Sequence, residues 1–515
     1  MKLGKFALTN SIGAISALIL SAALSASAVT DNAIDYTTFT VGETPCGVTL
    51  SVFAGMDSRG LSWQLKRAGL VSTEAQILAP VRRTCAGRAF TGSTKNLGMD
   101  SSLVSHCAAF TGLAAGTYSY RIGAVYEGSG EHWTSGTFTV KAGPYETVRI
   151  VNLNDAQTKD ASVYWKYANT CAAAVKAVGG ADKIDFVLDG GDFFHMRGEK
   201  MRNAGANSNA LNNVRWAMAN ETAAPHFPGV PWVHVGGNHD DVAYALTCPE
   251  AFAITNSPRA QGTTYAGCHS LVIGNVYVAT MPCCLDQKMA IEWLKADLAA
   301  SQANASIKWR VVALHDGPYT TGDHAVSKRL GYAETAAASN RVVTLTPIFA
   351  ANRVDLVLQA HDHTFVKTVP YRWSGKGYTT SETDAETLNL APTTETEGGL
   401  VYDVDPKGTY YVSAGCAGHR VGENKAYADR ANKKSFAHRN LKVATGKIKV
   451  ASSVSAAGDD ASKDTGKQMF GVLEASGDRL TYKFYLASDY ANETSELYDY
   501  VAIHKTVGDR KVILK

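Results

Sequence analysis

The 515-residue sequence predicts two architectures in series, an all-β domain followed by an α/β domain. Three observations carry that reading. Up to about residue 142, alternating and aromatic-rich runs are punctuated by glycine, the pattern of short strands in a sandwich. From Thr147 onward, apolar runs of strand length alternate with stretches of helical spacing, as in an α/β core. Five of those apolar runs end in carboxylate, amide or imidazole side chains, and ligand sites in open α/β sheets lie beyond the carboxyl ends of strands.

Lys2 and Lys5 precede an apolar stretch over 12–24, and Ala26-Ser27-Ala28 has the small-x-small form of a cleavage site. The apolar core is too short for a good membrane span, and no later segment supplies about 18 uninterrupted apolar residues. We therefore expect a signal peptide at 1–28, no stable membrane span, and a soluble secreted or periplasmic protein. A formal net charge of +3 gives no sign of the basic stripe of a dedicated nucleic-acid binder, so no nucleic-acid partner is expected.

"GVTLSVFAG", "GTYSYRIGAVY" and "HWTSGTFTVKA" are the strand-like runs of the domain at 29–142, and "AGPYE" reads as the linker to the domain at 143–515. There "TVRIVNLND" is a buried strand with a polar end. "SVYWKYANTCAAAVKAVG" has helical spacing and stops at glycine. "KIDFVLDGGD" and "PWVHVGGNHD" repeat the strand pattern. "QKMAIEWLKADLAAS" reads as an amphipathic helix, with Met289, Trp293 and Leu294 on one side. "KWRVVALHD" and "VDLVLQAHDH" are two more strands with polar ends. Residues 370–400 read as a long loop and 422–468 as a polar surface insertion. "MFGVLEA", "RLTYKFYLA" and "YDYVAIHK" return to strand patterning and should complete the core sheets.

Nine cysteines without a CxxC spacing argue against a zinc ribbon. In an exported chain they permit disulfides, with Cys248 and Cys268 placed to close a loop after GGNHD, and Cys46 to pair with Cys85 or Cys107.

The endings NLND, DGGD, GGNHD, ALHD and QAHDH supply Asp155, Asp192, Asn238, His239, His315, His361 and His363. If the strand continues through QAHDH, His361 and His363 point to one side. These donor types suit divalent metals such as Zn, Mn or Fe, and their number favours two ions over one.

The order D…GD…GNH…VxxH…HxH resembles that of the calcineurin-like metallophosphoesterases, and within them the purple acid phosphatases. "SRGLSWQLK", "FTGLAAGTYSYRI", "AHDHTFVKTVP" and "FGVLEASGDRLTYKFY" are similar to stretches in both domains of that family. The resemblance implies an α/β (α+β) four-layer fold, a β-sandwich flanked by helices, behind a fibronectin type III-like domain. It implies two metal ions, divalent or trivalent, drawn from Fe, Zn and Mn. Asp155 and His363 would bind the first. Asp192 would bridge both, and Asn238, His315 and His361 would bind the second. His239 would lie beside the substrate phosphate, and His324 of "HDGPYTTGDHA" corresponds to a second active-site histidine.

The implied activity is hydrolysis of small-molecule phosphomonoesters by a metal-bound hydroxide, as in an acid phosphatase. A phosphodiesterase is the near alternative, and a binding protein with a decayed site the distant one. Two positions depart from the family. His195 of "GDFFH" stands where purple acid phosphatases have tyrosine, so the chain should not be purple by that route. Asp155-Ala156-Gln157 stands where the wider superfamily has D-x-H. Gln157 oxygen or His195 nitrogen would complete the first metal site. Asp189, Asp240, Asp316 and Asp362 lie near the motifs without matching ligand positions and are expected to support them.

Overall fold

The computed structural model describes residues 34–41, 48–55, 59–67, 81–85, 103–110, 115–126, 130–140, 145–157, 164–193, 222–240, 259–260, 263–264, 268–282, 287–318, 341–363, 365–368, 370, 393–418, 468–489 and 492–506. The expected signal peptide and the segment 422–467 lie outside them.

Seven strands precede the linker: β1 (Ile34–Val41), β2 (Val48–Gly55), β3 (Arg59–Arg67), β4 (Val81–Cys85), β5 (Leu103–Phe110), β6 (Gly116–Tyr126) and β7 (Gly130–Val140). They form two antiparallel sheets of order β1-β2-β5-β4 and β3-β6-β7. The three runs read as strands from the sequence fall in β2, β6 and β7.

The second part begins with β8 (Val148–Leu153), α1 (Tyr164–Val178), β9 (Phe186–Asp189) and β10 (Trp232–His234). A two-residue pair, β11 (Arg259–Ala260) and β12 (Thr263–Thr264), follows. Then come β13 (His269–Ile273), β14 (Val276–Met281), α2 (Gln287–Ala303), β15 (Trp309–Leu314), α3 (Arg341–Ala351), β16 (Leu356–Gln359) and β17 (Phe365–Lys367). The chain closes with β18 (Thr393–Glu397), β19 (Leu400–Val404), β20 (Tyr410–Ala414), β21 (Met469–Ser476), β22 (Arg479–Asp489) and β23 (Thr494–His504).

Two mixed sheets result, of order β10-β9-β8-β21-β22-β23-β19-β18 and β13-β14-β15-β16-β20-β17. The tail strands complete the first, as their patterning predicts. Ile150, Phe186, Leu188 and Val233 of the first sheet share one buried cluster with Val278, Val311, Leu356, Leu358 and Val412 of the second. The alternate residues Tyr277, Ala279, Val312, Leu314, Val357 and Tyr411 pack with Leu294 and Leu298 of α2 and Leu345 and Phe349 of α3. The side-chain period of two thus sends one set inward and the other to the helices. A strand buried on both faces must be apolar throughout, which is why these strands read as continuous apolar runs. With α1 packed beside β21, β22 and β23, the layers are helix, sheet, sheet, helix.

In α2, Leu294 is buried and Trp293 packs against the same cluster, as expected, and Ala290 and Leu298 extend the buried stripe at a spacing of four. Two expectations are corrected. The supposed loop over 370–400 contains β18, which turns at Gly398-Gly399 into β19, and β19 docks parallel to β23. Cys268 is a free buried thiol, as are Cys171 and Cys416, so it does not close the expected loop with Cys248. Cys46, Cys248, Cys283 and Cys284 lie outside the described residues.

Lys505, just after β23, ties the two sheets together. Its buried ammonium donates to Asp355 Oδ2 at 3.0 Å and to the Lys308 carbonyl, and stands 4.5 Å from the Trp309 ring centroid. Asp355 Oδ2 also accepts from the Arg310 amide at 2.9 Å. Lys505→Met strands a buried carboxylate and should lower unfolding free energy by about 3–5 kcal/mol in chemical denaturation. A loss below about 1 kcal/mol, the range of exposed pairs, would show that the clamp is not a stabilising element.

Candidate metal centre

The five polar endings lie immediately beyond β8, β9, β10, β15 and β16. β8, β9 and β10 run parallel in one sheet, and β15 and β16 run parallel in the other. Their carboxyl ends meet, and the side chains converge there in two groups. Asp192, His315 and His361 bring ligand atoms within 4.8 Å of one another, and so do Asp155, Asp192 and His363. Asp192 belongs to both. Asn238 joins the first group, with Oδ1 3.1 Å from His315 Nε2. Gln157 joins the second, with Nε2 3.0 Å from His363 Nε2. His239 lies alongside, Nε2 3.8 Å from Asp192 Oδ2. His195 and His324 lie outside the described residues.

His361 and His363 do not share a side by extended geometry. β16 stops at Gln359, and the two histidines adopt left-handed backbone, φ 75° and 54°. The turn separates their rings. His361 Nδ1 faces His315 Nε2 at 3.2 Å, and His363 Nε2 faces Asp155 Oδ1 at 3.5 Å. Asp155, Gln157 and Asp192 are left-handed as well, at φ 50°, 40° and 55°. Strain of about 1–3 kcal/mol per residue persists only where surrounding contacts over-determine it.

Those contacts are explicit. Asp192 donates its amide to Asp240 Oδ2 at 2.7 Å, and Gly237 donates to the same oxygen at 2.8 Å. The His239 amide donates to Asp192 Oδ1 at 2.6 Å and the Gln157 amide to the Asp192 carbonyl at 2.8 Å. The His361 amide donates to Asp155 Oδ2 at 2.9 Å. His315 Nδ1 lies 2.9 Å from the Gly190 carbonyl, which keeps a proton there and turns Nε2 into the site. A further buried chain was invisible in the sequence. The Tyr482 hydroxyl donates to Asn152 Oδ1, Asn152 Nδ2 to Asn154 Oδ1, and Asn154 Nδ2 to the Gln359 carbonyl, at 2.6, 2.8 and 2.9 Å.

Glycine is required where these loops touch. Gly191 has φ 101°, and a Cβ there would lie 2.5 Å from His315 Nδ1. A Cβ on Gly237 would collide with the amide nitrogen and Oδ1 of Asp192.

The family model for calcineurin-like phosphoesterases matches residues 148–365, the span that contains all five endings. That stretch is similar to the calcineurin-like phosphoesterases. The chain's fold is similar to that of the purple acid phosphatase PPD1 from yellow lupin (Lupinus luteus) seeds, with a TM-score of 0.61 and 14% identity over 94% of this chain and 76% of that one. It is also similar to PhoD, with a TM-score of 0.53 and 10% identity over 91% and 89% of the two chains. At such identities the likeness is one of fold. No curated protein matches the chain.

The site is electrostatically unbalanced without a cation. Burial pushes the Asp155, Asp189 and Asp240 carboxyls well above the usual range, and the charge of Asp192 adds to each. For Asp192, burial acts upward but is outweighed by His315, then His239 and His361, which hold it below that range. His315, despite burial, is pushed up to about 10 by Asp192 and then Asp155. Gln157 Oε1 is buried and has no hydrogen-bond partner among the described residues. A cluster rich in carboxylate, short of positive charge and holding an orphan carbonyl oxygen fits divalent cations. Asp189 bonds His234 Nδ1 at 3.0 Å and accepts from the Gly191 amide at 3.2 Å, bracing the loop as expected of a supporting carboxylate.

Gly237→Ala should leave the far-ultraviolet circular dichroism spectrum intact and reduce phosphoesterase turnover at least about 10²-fold, because a small displacement of reacting groups is that costly. Turnover close to wild type would show that the Gly237–Asp192 contact is not needed.

Proposed function

We propose that this chain is an exported phosphatase with two metal ions, hydrolysing phosphomonoesters to an alcohol and free phosphate. The carrying observation is Asp192, whose carboxylate is common to both donor groups. Asp155, Asp192 and His363 would hold one cation, with Gln157 or His195 to complete it, and Asp192, Asn238, His315 and His361 the other. Bound as a pair, such cations neutralise phosphate oxygens, spread the charge that develops on phosphorus and acidify water.

The chain's own groups do the rest. Asp240 holds the Asp192 backbone amide and the His239 amide holds Asp192 Oδ1, which together fix the direction of the carboxylate. The Gly190 carbonyl holds His315 with Nε2 inward. His239, carrying a proton on Nε2 beside the pair, would donate to a phosphate oxygen or to the departing alkoxide. Proton donation of this kind contributes about 10²–10⁴-fold. The strand order at 34–140 is that of the seven-stranded immunoglobulin-like sandwich with sheets A-B-E-D and C-F-G, an architecture that fibronectin type III domains share, which is compatible with a fibronectin type III-like domain at 29–142. The basic and apolar segment at 1–28 supports export.

His239→Ala should keep its metal content by elemental analysis while kcat falls about 10²–10⁴-fold. A fully metallated variant with normal kcat would remove His239 from the mechanism. On wild-type protein, chelation should abolish turnover of p-nitrophenyl phosphate and lower Tm, and restoring a cation at about 100 times its Kd should return about 2.7 kcal/mol of stability. Faster turnover of bis-p-nitrophenyl phosphate than of the monoester would identify a phosphodiesterase instead.

A further inference from the structure

Gln157 is the residue whose placement the general two-cation scheme leaves unexplained. It is buried, and its backbone is left-handed at φ 40°. Its amide nitrogen is pinned to the Asp192 carbonyl at 2.8 Å. Its side-chain Nε2 lies 2.8 Å from Asp192 Oδ2 and 3.0 Å from His363 Nε2. Asp192 and His363 belong to one donor group with Asp155, so the carboxamide ends among the atoms that would hold a cation. The other end of the carboxamide, Oε1, is buried without a partner among the described residues. A surface glutamine or a packing residue would show neither feature.

The geometry points to Gln157 as the fourth donor of the Asp155–Asp192–His363 position, presenting its amide oxygen and making that position selective for an oxygen-preferring divalent cation such as Mn2+. This inference rests on the two-cation reading above. A carboxamide keeps its shape when it turns by half a revolution about its last torsion, which exchanges oxygen and nitrogen. Without a cation, Nε2–H bonds Asp192 and faces the His363 lone pair. With a cation, that arrangement sets an N–H dipole against positive charge. The half-turn would replace it with Oε1 and would leave Asp192 Oδ2 open to the same cation.

The two positions then differ in kind. The Gln157 position has three oxygen donors and one imidazole. The other has the Asp192 carboxylate, the Asn238 amide oxygen, and the imidazoles of His315 and His361. Oxygen donors suit Mn2+, and imidazole suits Zn2+ and iron. Mn2+ should therefore favour the Gln157 position and Zn2+ the other, so that the pair is mixed.

The test is equilibrium cation binding to the full chain stripped of metal, with Mn2+ followed by electron paramagnetic resonance and Zn2+ by competition with a chromophoric chelator. Wild type should bind one Mn2+ tightly in the presence of one equivalent of Zn2+. Gln157→Leu, similar in size but without a donor, should weaken that Mn2+ by about 10–100-fold while leaving the first Zn2+ equivalent bound. Gln157→His should shift the position toward Zn2+ by at least about 10-fold, so the inference stays testable if the leucine variant loses its circular dichroism spectrum. Equal Mn2+ affinity in wild type and both Gln157 variants would overturn the inference and leave the two-cation reading standing. Loss of Mn2+ in His195→Ala with retention in Gln157→Leu would also overturn it and assign the donor to His195. A wild-type chain that binds neither cation would overturn both.

Discussion

The site depends on one buried carboxylate held still. Asp192 sits on left-handed backbone with its amide on Asp240, its carbonyl on the Gln157 amide and its Oδ1 under the His239 amide. The loops after β8, β9 and β10 are thereby tied together at a single residue. An ionised carboxylate in so buried a place is expensive unless it is matched by charge and hydrogen bonds. Here the bonds come from backbone and the charge from His315, His239 and His361. For Asp155 burial outweighs the pull of His315, and its carboxyl is pushed well above the usual range. A centre of this kind is built for a positive partner between its two halves.

The fold supplies the stage for that residue through burial on both sides. Each parallel strand lies between the second sheet and a helix or between two packed layers, so its length is apolar and its polar chemistry is deferred to its end. Because both sheets bring carboxyl ends to the same region, residues as distant in sequence as Asp155 and His363 become neighbours. Lys505, Asp355 and Trp309 bind the last strand of one sheet to the starts of β15 and β16 in the other, away from those ends. The two sheets are thus joined by apolar packing along their faces, by an ion pair at one end and by the donor groups at the other.

Much of this was legible in the sequence for a physical reason. A strand buried on both faces has a strong apolar signature, and five such runs ending in metal-donor types mark one site without further information. What stayed hidden concerns backbone sign and distance. Positive φ at His361 and His363 cannot be seen in letters, so the spacing of two suggested a shared side where the chain instead turns and separates the rings. Asn152 and Tyr482 stand 330 positions apart, and no local pattern announces the bond between them. Asp240 was recognisable only as a neighbour of GGNH, although its carboxylate anchors both Asp192 and Gly237. In α2, Trp293 and Leu294 marked the side that meets the core, and only Ala290 and Leu298 of that stripe went unnoticed. The β18–β19 hairpin escaped notice because its strands are mostly exposed and carry Thr and Glu rather than an alternating apolar set.

On the proposed function one carboxylate, Asp192, serves two cations. Anomalous X-ray scattering from crystals of the metal-loaded protein measures this directly. Two peaks about 3.5–4 Å apart, one on each side of Asp192, are expected. One peak alone at full loading, or two peaks that do not share Asp192, would contradict it.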